Sequence, residues 1–311
     1  MIAKEALVSI SNDRLRRLAT YASIAVSAVL IVAKLIAYFM TDSVAMLSSL
    51  LDSTVDLLSS IVTALGVASA LRPPDHDHRY GHGKAEPLAA LAQAAFIVGS
   101  SSLLAYEALS RLYHQHDVQN EAVGYGVMAF AIVLSIILIA FQRHVVRRTS
   151  SMAIGADNIH YIGDLVINIA VVIAFVAHEI TGINWLDPVF AIGIATGLSY
   201  SAYNIAKDAL NVLMDRELPD AERTKIKEIV RAQPLVRGLH DLRTRTDGER
   251  QFIEFHLELD ANMTLKAAHK IDEAIMEALG KDFPNADVLI HQDPAGLEEE
   301  RLDAKIAQGG K

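Results

Sequence analysis

The chain contains no cysteine among its 311 residues. Disulfide staples and thiolate metal sites are therefore excluded, and any bound metal ion must be held by His, Asp or Glu. An excess of positive charge is also missing, because the formal net charge is −9 at pH 7, whereas nucleic-acid binding favours basic surfaces. Residues 1–17 are polar and do not resemble a cleavable signal peptide. We expect no nucleic-acid partner and no removed leader.

Long apolar segments fill the first two-thirds of the chain. Hydrophobic residues make up 52% of the sequence, and the mean hydropathy is +0.28. A helix needs roughly 20 largely apolar residues to cross the hydrocarbon core of a lipid bilayer. The segments that meet this criterion are Leu18–Phe39, Ser43–Leu71, Ala85–Leu112, Ala122–Gln142, Met152–His178 and Leu186–Lys207. They predict a six-helix transmembrane domain over residues 18–207, preceded by a cytoplasmic segment over residues 1–17.

Basic residues alternate between the connections and set the orientation. The basic connections carry Arg14, Arg16, Arg17, Arg72, Arg79, Lys84, Arg143, Arg147 and Arg148. The connections between them, 40–42, 114–121 and 179–187, contain no Lys or Arg. This positive-inside pattern predicts a multi-pass protein with both termini in the cytoplasm. Lys34, near the outer end of the first span, is predicted to extend towards the lipid headgroups.

After Asp215 the sequence becomes that of a small soluble domain. An Asp247-Gly248 turn separates two alternating segments and predicts a hairpin, and Thr264 is a candidate N-cap. The predicted elements are a helix over Pro219–Ala232, strands over Leu239–Arg245 and Phe252–Leu259, a helix over Thr264–Leu279 and a strand over Ala286–His291. The fold class is therefore membrane α-helical, with six transmembrane helices and a C-terminal cytoplasmic α+β (αββαβ) domain over residues 213–295. The charged residues 296–311 are predicted to form a disordered tail.

Two pairs of ionisable residues lie inside predicted spans. Asp52 and Asp56 are in the second span, and His160 and Asp164 are in the fifth. An i, i+4 spacing places both members of a pair on one helix face, one turn apart. Ionisable groups inside a membrane are costly and mark ion or proton pathways. Three carboxylates and one imidazole predict a four-coordinate site suited to Zn²⁺ and related divalent ions.

Two further clusters have metal-ligand residue types. Asp75, His78 and His82 lie in the connection after the second span, where a His-rich loop can also be simply solvated. The soluble domain carries the third set, whose members can equally be ordinary surface or packed side chains: His240, His256, His269, His291 and Asp293. Ligand type without geometry leaves both readings open.

These motifs together resemble the cation diffusion facilitator family. The resemblance rests on the Asp-x-x-x-Asp and His-x-x-x-Asp pairs, on the run from Gly81 to Glu86 and on the run from His240 to Arg245. More narrowly, the chain is similar to the bacterial ferrous-iron/zinc efflux pumps of that family over roughly residues 12–295. The resemblance implies a homodimeric divalent-cation/proton antiporter of the bacterial inner membrane, which exports metal ions from the cytoplasm by alternating access.

The resemblance also assigns roles by motif position. Asp52, Asp56, His160 and Asp164 would form the transport site, and Asp75, His78 and His82 would form a loop site. A cytoplasmic structural or regulatory site would comprise His240, His256, His269, His291 and Asp293. Lys84 would pair with Asp215 as a dimer interlock. Zn²⁺ is the expected ion, with Fe²⁺ or Cd²⁺ as possible substrates.

Other functional classes remain as alternatives. A passive metal channel or a metal sensor would need the same ligands but no proton counterflow. A membrane-embedded hydrolase fits less well, because a zinc protease has a His-Glu-x-x-His motif. His178-Glu179 has Gly182 at the position of the second His. The sequence therefore favours a transporter over an enzyme.

Overall fold

A computed structural model describes the backbone of residues 2–41, 44–113, 122–181, 186–297 and 300–309. Side chains are described for residues 11–40, 49–110, 126–170, 173, 188–297, 300–306 and 308. The sequence predicts that the three connections without Lys or Arg lie on the outer side of the membrane. Much of these connections, 40–42, 114–121 and 179–187, lies outside the described residues. The chain divides into two compact units, Met1–Leu210 and Asn211–Lys311.

Six long helices build the first unit. They are α1 (Ile2–Thr41), α2 (Val44–Ala70), α3 (Ala85–Tyr113), α4 (Ala122–Thr149), α5 (Met152–Thr181) and α6 (Leu186–Leu213). Within the described residues, α1, α2, α3, α4 and α6 contain segments long and apolar enough to cross a membrane. The predicted six-helix architecture is confirmed, although α1 begins at Ile2 rather than near Leu18.

Small side chains line the contacts between these helices. Ala19 of α1, Ala89 of α3 and Ala153 of α5 are buried in one apolar cluster. Gly66 of α2 lies so close to α3 that a Cβ atom on it would be 2.3 Å from the Cβ atom of Ala89. In a bilayer, lipid tails are as apolar as the side chains, so association of helices depends on close packing of this kind and on interhelical hydrogen bonds.

The second unit contains helices on a three-stranded sheet. Its elements are α7 (Asp220–Arg231), β1 (Gly238–Thr246), β2 (Gln251–Leu259), α8 (Leu265–Asp282), β3 (Ala286–Pro294) and α9 (Leu302–Gly309). The strand order is β1-β2-β3, with β1 antiparallel and β3 parallel to β2. This arrangement confirms the predicted αββαβ order.

Local chemistry explains the boundaries of these elements. The Asp247 carboxylate accepts hydrogen bonds from the N–H groups of Glu249 and Arg250, and Gly248 adopts a φ of +102° that closes the hairpin. The Thr264 side chain accepts a hydrogen bond from Ala267 N–H and caps α8, as predicted. Buried Ile226 of α7 and Ile275 of α8 belong to the core that covers the sheet.

The end of the chain differs from the expectation. The sequence predicts a disordered tail over residues 296–311, whereas residues Leu302–Gly309 form α9. Helix α9 packs on β1 through paired hydrogen bonds between Asp241 and the first residues of the helix. Tertiary contacts of this type are not visible in a short polar segment, and they supply the stability that its own composition lacks.

Candidate metal centres

Asp56, His160 and Asp164 bring one ligand atom each to a common point between α2 and α5. The Nε2 atom of His160 is 3.1 Å from Oδ1 of Asp56 and 3.7 Å from Oδ2 of Asp164. All three atoms lie within 4.8 Å of one another. The His160 side chain is 3% exposed, so the imidazole is held away from bulk solvent. One nitrogen and two carboxylate oxygens at this separation form a partial coordination shell for a divalent cation.

Asp52 does not join this group of ligand atoms. Its side chain is exposed one helical turn before Asp56 on α2. Lys34 approaches the same stretch of α2, because its Nζ atom donates hydrogen bonds to Ser49 O at 3.0 Å and Ser53 Oγ at 2.7 Å. Lys34 therefore turns towards α2 and not towards the headgroups, contrary to its expected orientation.

A network of polar side chains lies beside the group. The Asp157 carboxylate accepts hydrogen bonds from Ser23 of α1, Gln93 of α3 and Gln142 of α4. Asp157 is 1% exposed and precedes His160 by three positions on α5. These bonds tie three helices to the helix that carries His160. Sequence analysis missed this network, although a carboxylate inside a span was a signal that could have identified it.

The loop cluster is also assembled. The Nδ1 atom of His78 and the Nε2 atom of His82 each lie 3.2 Å from a different oxygen of Asp75. The two imidazole rings are 4.6 Å apart between centroids. A hydrogen bond from the backbone N–H of His78 lowers the pKa of Asp75, which favours the ionised form that a cation needs. The cluster lies between α2 and α3, with His78 exposed and with Asp75 and His82 half-buried.

The third group lies on neighbouring strands of the sheet. The register pairs His240 of β1 with His256 of β2, and His256 with His291 of β3. Because side chains two residues apart on a strand share a face, Asp293 projects beside His291. The Asp293 Oδ2 atom is 2.7 Å from Nδ1 of His256 and 3.6 Å from Nε2 of His240. His240, His256 and Asp293 therefore offer three ligand atoms within 4.8 Å of one another.

Two predicted members of this site lie at or beyond its edge. The Nε2 atom of His291 is 3.2 Å from Oδ1 of Asp293, and its side chain is 66% exposed. His269 projects from α8 and contacts Glu273 at 3.6 Å, with a side chain that is 65% exposed. The structure does not bring His269 to the cluster. A histidine on a helix can be recognised in sequence, but the direction in which it projects depends on how the helix packs.

Comparisons with known proteins identify the family to which the chain is related. A family model described as a cation efflux transmembrane domain matches residues 20–214, and a model described as the cytoplasmic domain of cation efflux proteins matches residues 218–295. The chain belongs to the cation efflux family. The cation-efflux pump FieF of Shewanella oneidensis is 44% identical over 282 residues, which cover 91% of this chain and 95% of that protein. The Salmonella arizonae cation-efflux pump FieF is 42% identical over 294 residues, 92% of this chain and 96% of that protein.

One solved relative is described as the metal-bound C-terminal domain of the CzcD transporter from Thermotoga maritima. It is 30% identical and covers 26% of this chain and 100% of that chain, with a TM-score of 0.25. Family membership makes this chain a multi-pass cation efflux pump of the cation diffusion facilitator family, which exports divalent metal ions. The resemblance in the sequence is confirmed, and the family is one of transporters, not of hydrolases.

The comparisons do not test the predicted dimer interlock, and they do not cover the end of the chain. The predicted interlock of Lys84 and Asp215 joins residues of different units, and it stays a prediction about the dimer. Residues 296–311, which include α9, lie beyond both matched ranges of the cation efflux models.

Glu258, whose carboxylate is 3.1 Å from Nδ1 of His240, was not singled out in the sequence, where an acidic residue on a strand carries no distinguishing signal.

Proposed function

We propose that this cation efflux pump is a Zn²⁺/proton antiporter of the bacterial inner membrane, with Fe²⁺ and Cd²⁺ as further substrates. The observation that carries the proposal is the convergence of Asp56, His160 and Asp164 within 4.8 Å between two helices of the transmembrane unit. Imidazole and carboxylate ligands suit Zn²⁺ and related divalent ions. Asp52, one turn from Asp56, is the proposed fourth ligand.

Proton exchange follows from the ligand chemistry. His160 must be neutral to donate a lone pair to a metal ion, so a proton and a metal ion compete for the same nitrogen. A cation that enters from the cytoplasm would displace protons from His160 and the adjacent carboxylates. Rocking of helices around a site near the middle of the membrane would then expose the ion to the other side, where incoming protons release it.

The remaining groups are proposed to serve regulation and assembly. The loop site of Asp75, His78 and His82 and the cytoplasmic site of His240, His256, His291 and Asp293 would hold resident Zn²⁺, with His269 contributing only if the assembled dimer brings it close. An ion that binds the folded domain stabilises it by mass action. Together with a Lys84–Asp215 interlock, such sites would fix the cytoplasmic domains of a homodimer whose termini both lie in the cytoplasm.

Purified protein in liposomes that enclose a pH-sensitive dye tests the antiport. Zn²⁺ is added outside, and metal entry and proton exit are recorded for wild type, Asp56→Asn and Asp208→Asn. Both variants neutralise one carboxylate, but Asp208 is an exposed residue of α6 outside the three groups. We expect coupled fluxes for wild type and Asp208→Asn, and fluxes at least about tenfold lower for Asp56→Asn, since even supporting residues of metal sites cost that much.

Each failure has a distinct meaning. Zn²⁺ entry without proton exit would identify a channel and refute the antiport. An absence of Zn²⁺ flux in wild type, with Zn²⁺ still bound, would favour a sensor. Unchanged coupled flux in Asp56→Asn would show that the cation crosses elsewhere. Repeating the assay with Fe²⁺ and Cd²⁺ ranks the substrates.

A further inference from the structure

Helix α9 is held on β1 by a reciprocal pair of aspartates. The Asp241 carboxylate accepts hydrogen bonds from Leu302 N–H at 2.8 Å and Asp303 N–H at 2.9 Å. The Asp303 carboxylate accepts the N–H of Asp241 at 3.0 Å. The first N–H groups of a helix have no partner within the helix, so Asp241 caps α9 from outside. Burial raises the pKa of Asp241, but these N–H groups, together with the nearby imidazoles of His240 and His256, outweigh it and lower the pKa below its ordinary value.

Asp241 is also the neighbour of a candidate metal ligand. It has a φ of +51° and lies in a β-bulge that interrupts the register after His240. The bulge directs the Asp241 carboxylate to α9 while His240 faces the metal cluster. The position of the tail is therefore linked through one peptide bond to the strand residue that presents the imidazole.

A second contact of the tail involves the carboxylate beside the same imidazole. Arg301, directly before α9, places its NH2 atom 2.6 Å from Oε1 of Glu258. The same oxygen is 3.1 Å from Nδ1 of His240. That nitrogen is buried and has no aligned hydrogen-bond partner among the described residues. Arg301 thus holds a carboxylate that lies within reach of His240 but does not complete a bond to it.

The two nitrogens of His240 face different groups. Nε2 is directed to Asp293, 3.6 Å from Oδ2, on the side where a metal ion would bind. Nδ1 is directed to Glu258. Histidine ligands of metal ions nearly always donate their other N–H to a carboxylate, a carbonyl or water, which fixes the tautomer and raises the basicity of the ligating nitrogen. Glu258 is placed to accept that N–H.

Gly238 provides the space for this carboxylate. A Cβ atom at residue 238 would lie 2.7 Å from Oε2 and 2.9 Å from Cδ of Glu258. Glu258 and Gly238 are paired across β1 and β2, so any larger residue would displace the carboxylate. This packing is independent of the tail, and it indicates that the position of Glu258 beside His240 is built into the sheet.

We propose that Glu258 is a positioning residue for His240 and that the C-terminal tail regulates the cytoplasmic metal site through Arg301. Docked Arg301 engages the Glu258 oxygen that lies nearest to His240, so it competes with the imidazole N–H for that oxygen, and it adds a positive charge near the cation; both effects weaken metal binding. Metal binding draws Glu258 to His240 and releases Arg301. The coupling is reciprocal, because bound metal weakens the docking of the tail by the same factor by which the docked tail weakens metal binding. The inference rests on the proposed metal site of His240, His256 and Asp293.

The test uses the full-length protein with the other two candidate sites inactivated by Asp56→Asn, His160→Asn, His78→Asn and His82→Asn. The affinity for Zn²⁺ is measured against a competing chelator, and hydrogen exchange is followed in the peptide that spans residues 300–309. Lys305→Gln is the matched control, because Lys305 pairs with Glu300 within the tail. Arg301→Gln removes the same kind of charge from the contact with Glu258.

We expect Glu258→Gln to weaken Zn²⁺ binding by about 10- to 100-fold, the usual effect of losing a supporting carboxylate. Arg301→Gln should tighten it by about fivefold or more, the lower end of typical couplings between sites, and Lys305→Gln should leave it unchanged. Zn²⁺ should accelerate exchange of the Leu302 and Asp303 amides in the parent protein. Gly238→Ala, which displaces the carboxylate without removing it, should weaken Zn²⁺ binding like Glu258→Gln and provides a second variant if the latter fails to fold.

Two results would overturn the inference in different ways. If Zn²⁺ binds the parent protein but Arg301→Gln leaves its affinity unchanged and the tail amides ignore Zn²⁺, the tail has no regulatory role and the metal site stands. If the parent protein binds no Zn²⁺, or binds it equally after His240→Ala, both the inference and the cytoplasmic metal site are wrong.

Discussion

Gly66 offers the sharpest test of how the helices are packed around the candidate transport site. A Cβ atom on Gly66 would lie 2.3 Å from the Cβ atom of Ala89, and 3.2 Å from the carbonyl oxygen of Ala85. Carbon atoms pack at about 3.5–4.0 Å, so Gly66→Ala would force α2 and α3 apart by about 1.5 Å. The substitution also gains about 1 kcal/mol of helix propensity. Because two backbones must move, we expect a net loss of about 2 kcal/mol, within the usual range for overpacking.

Removing the opposing methyl group should reverse the loss. Ala89→Gly alone should cost about 1 kcal/mol in helix propensity. In the double variant Gly66→Ala/Ala89→Gly the methyl group simply changes helices, and the nearest remaining atoms are Ala85 O and Ala89 Cα, the latter at 3.7 Å. The double variant should therefore be nearly as stable as wild type. The interaction energy between the two substitutions is then about 3 kcal/mol, at the upper end of measured couplings between residues in contact.

Wild type, the two single variants and the double variant are compared by heating the detergent-solubilised proteins. The temperature at which the monodisperse protein is lost gives the apparent Tm of each. Gly66→Ala should lower the apparent Tm by about 4–8 °C, from about 2–4 °C per kcal/mol for a unit of this size. Gly99→Ala is the matched control, because a Cβ atom there would meet no heavy atom within 4 Å. Zn²⁺ flux should follow the same order, since Gln93 of α3 bonds Ser59 and Thr63 of α2 across this contact. Additive effects of the two substitutions would refute the close approach of α2 and α3.

Two further predictions concern buried carboxylates. Asp157→Ala removes the acceptor of three side-chain hydrogen bonds, so it should destabilise the solubilised protein by roughly 3 kcal/mol. Ser101→Ala, which removes one interhelical bond to Ser199 and a local bond to Val98 O, should cost only about 1 kcal/mol, and equal shifts would contradict the network. Burial raises the pKa of Asp272 above its ordinary value of 3.8. Ionisation of this carboxyl group therefore lowers the stability of the folded state as the pH rises above that value. Asp272→Asn should raise the unfolding temperature at pH 7, and the gain should vanish as the pH falls to that value; a gain independent of pH would exclude this cause.

Helical and strand periodicity explain why much of the candidate chemistry could be predicted from the sequence. An i, i+4 spacing fixes Asp56 near Asp52, and His160 near Asp164, on any regular helix. The convergence of Asp56, His160 and Asp164 then required only that two apolar helices pack with their polar faces together. The hairpin turn and the cap of α8 were predictable for the same local reasons.

Contacts that depend on tertiary packing could not be predicted in this way. Lys34 lies near a span end, where long cations commonly reach the headgroups, yet the packing of α1 on α2 turns it to Ser49 and Ser53. His269 has a ligand side chain but projects away from the sheet cluster. The docking of α9 depends on Asp241, some 60 residues earlier in the chain.

The two carboxylates of α5 near His160, those of Asp157 and Asp164, differ in their hydrogen bonding. Asp157 accepts three side-chain hydrogen bonds and is fully accommodated by its neighbours. Asp164 has a buried Oδ2 atom without a hydrogen-bond partner among the described residues, 3.7 Å from His160 Nε2. A buried acceptor that the protein leaves unpaired needs an explanation, because such an atom costs free energy. A cation bound beside His160 would satisfy this oxygen atom. Asp164 is therefore the carboxylate suited to bind the transported ion, whereas Asp157 is suited to hold the helices together.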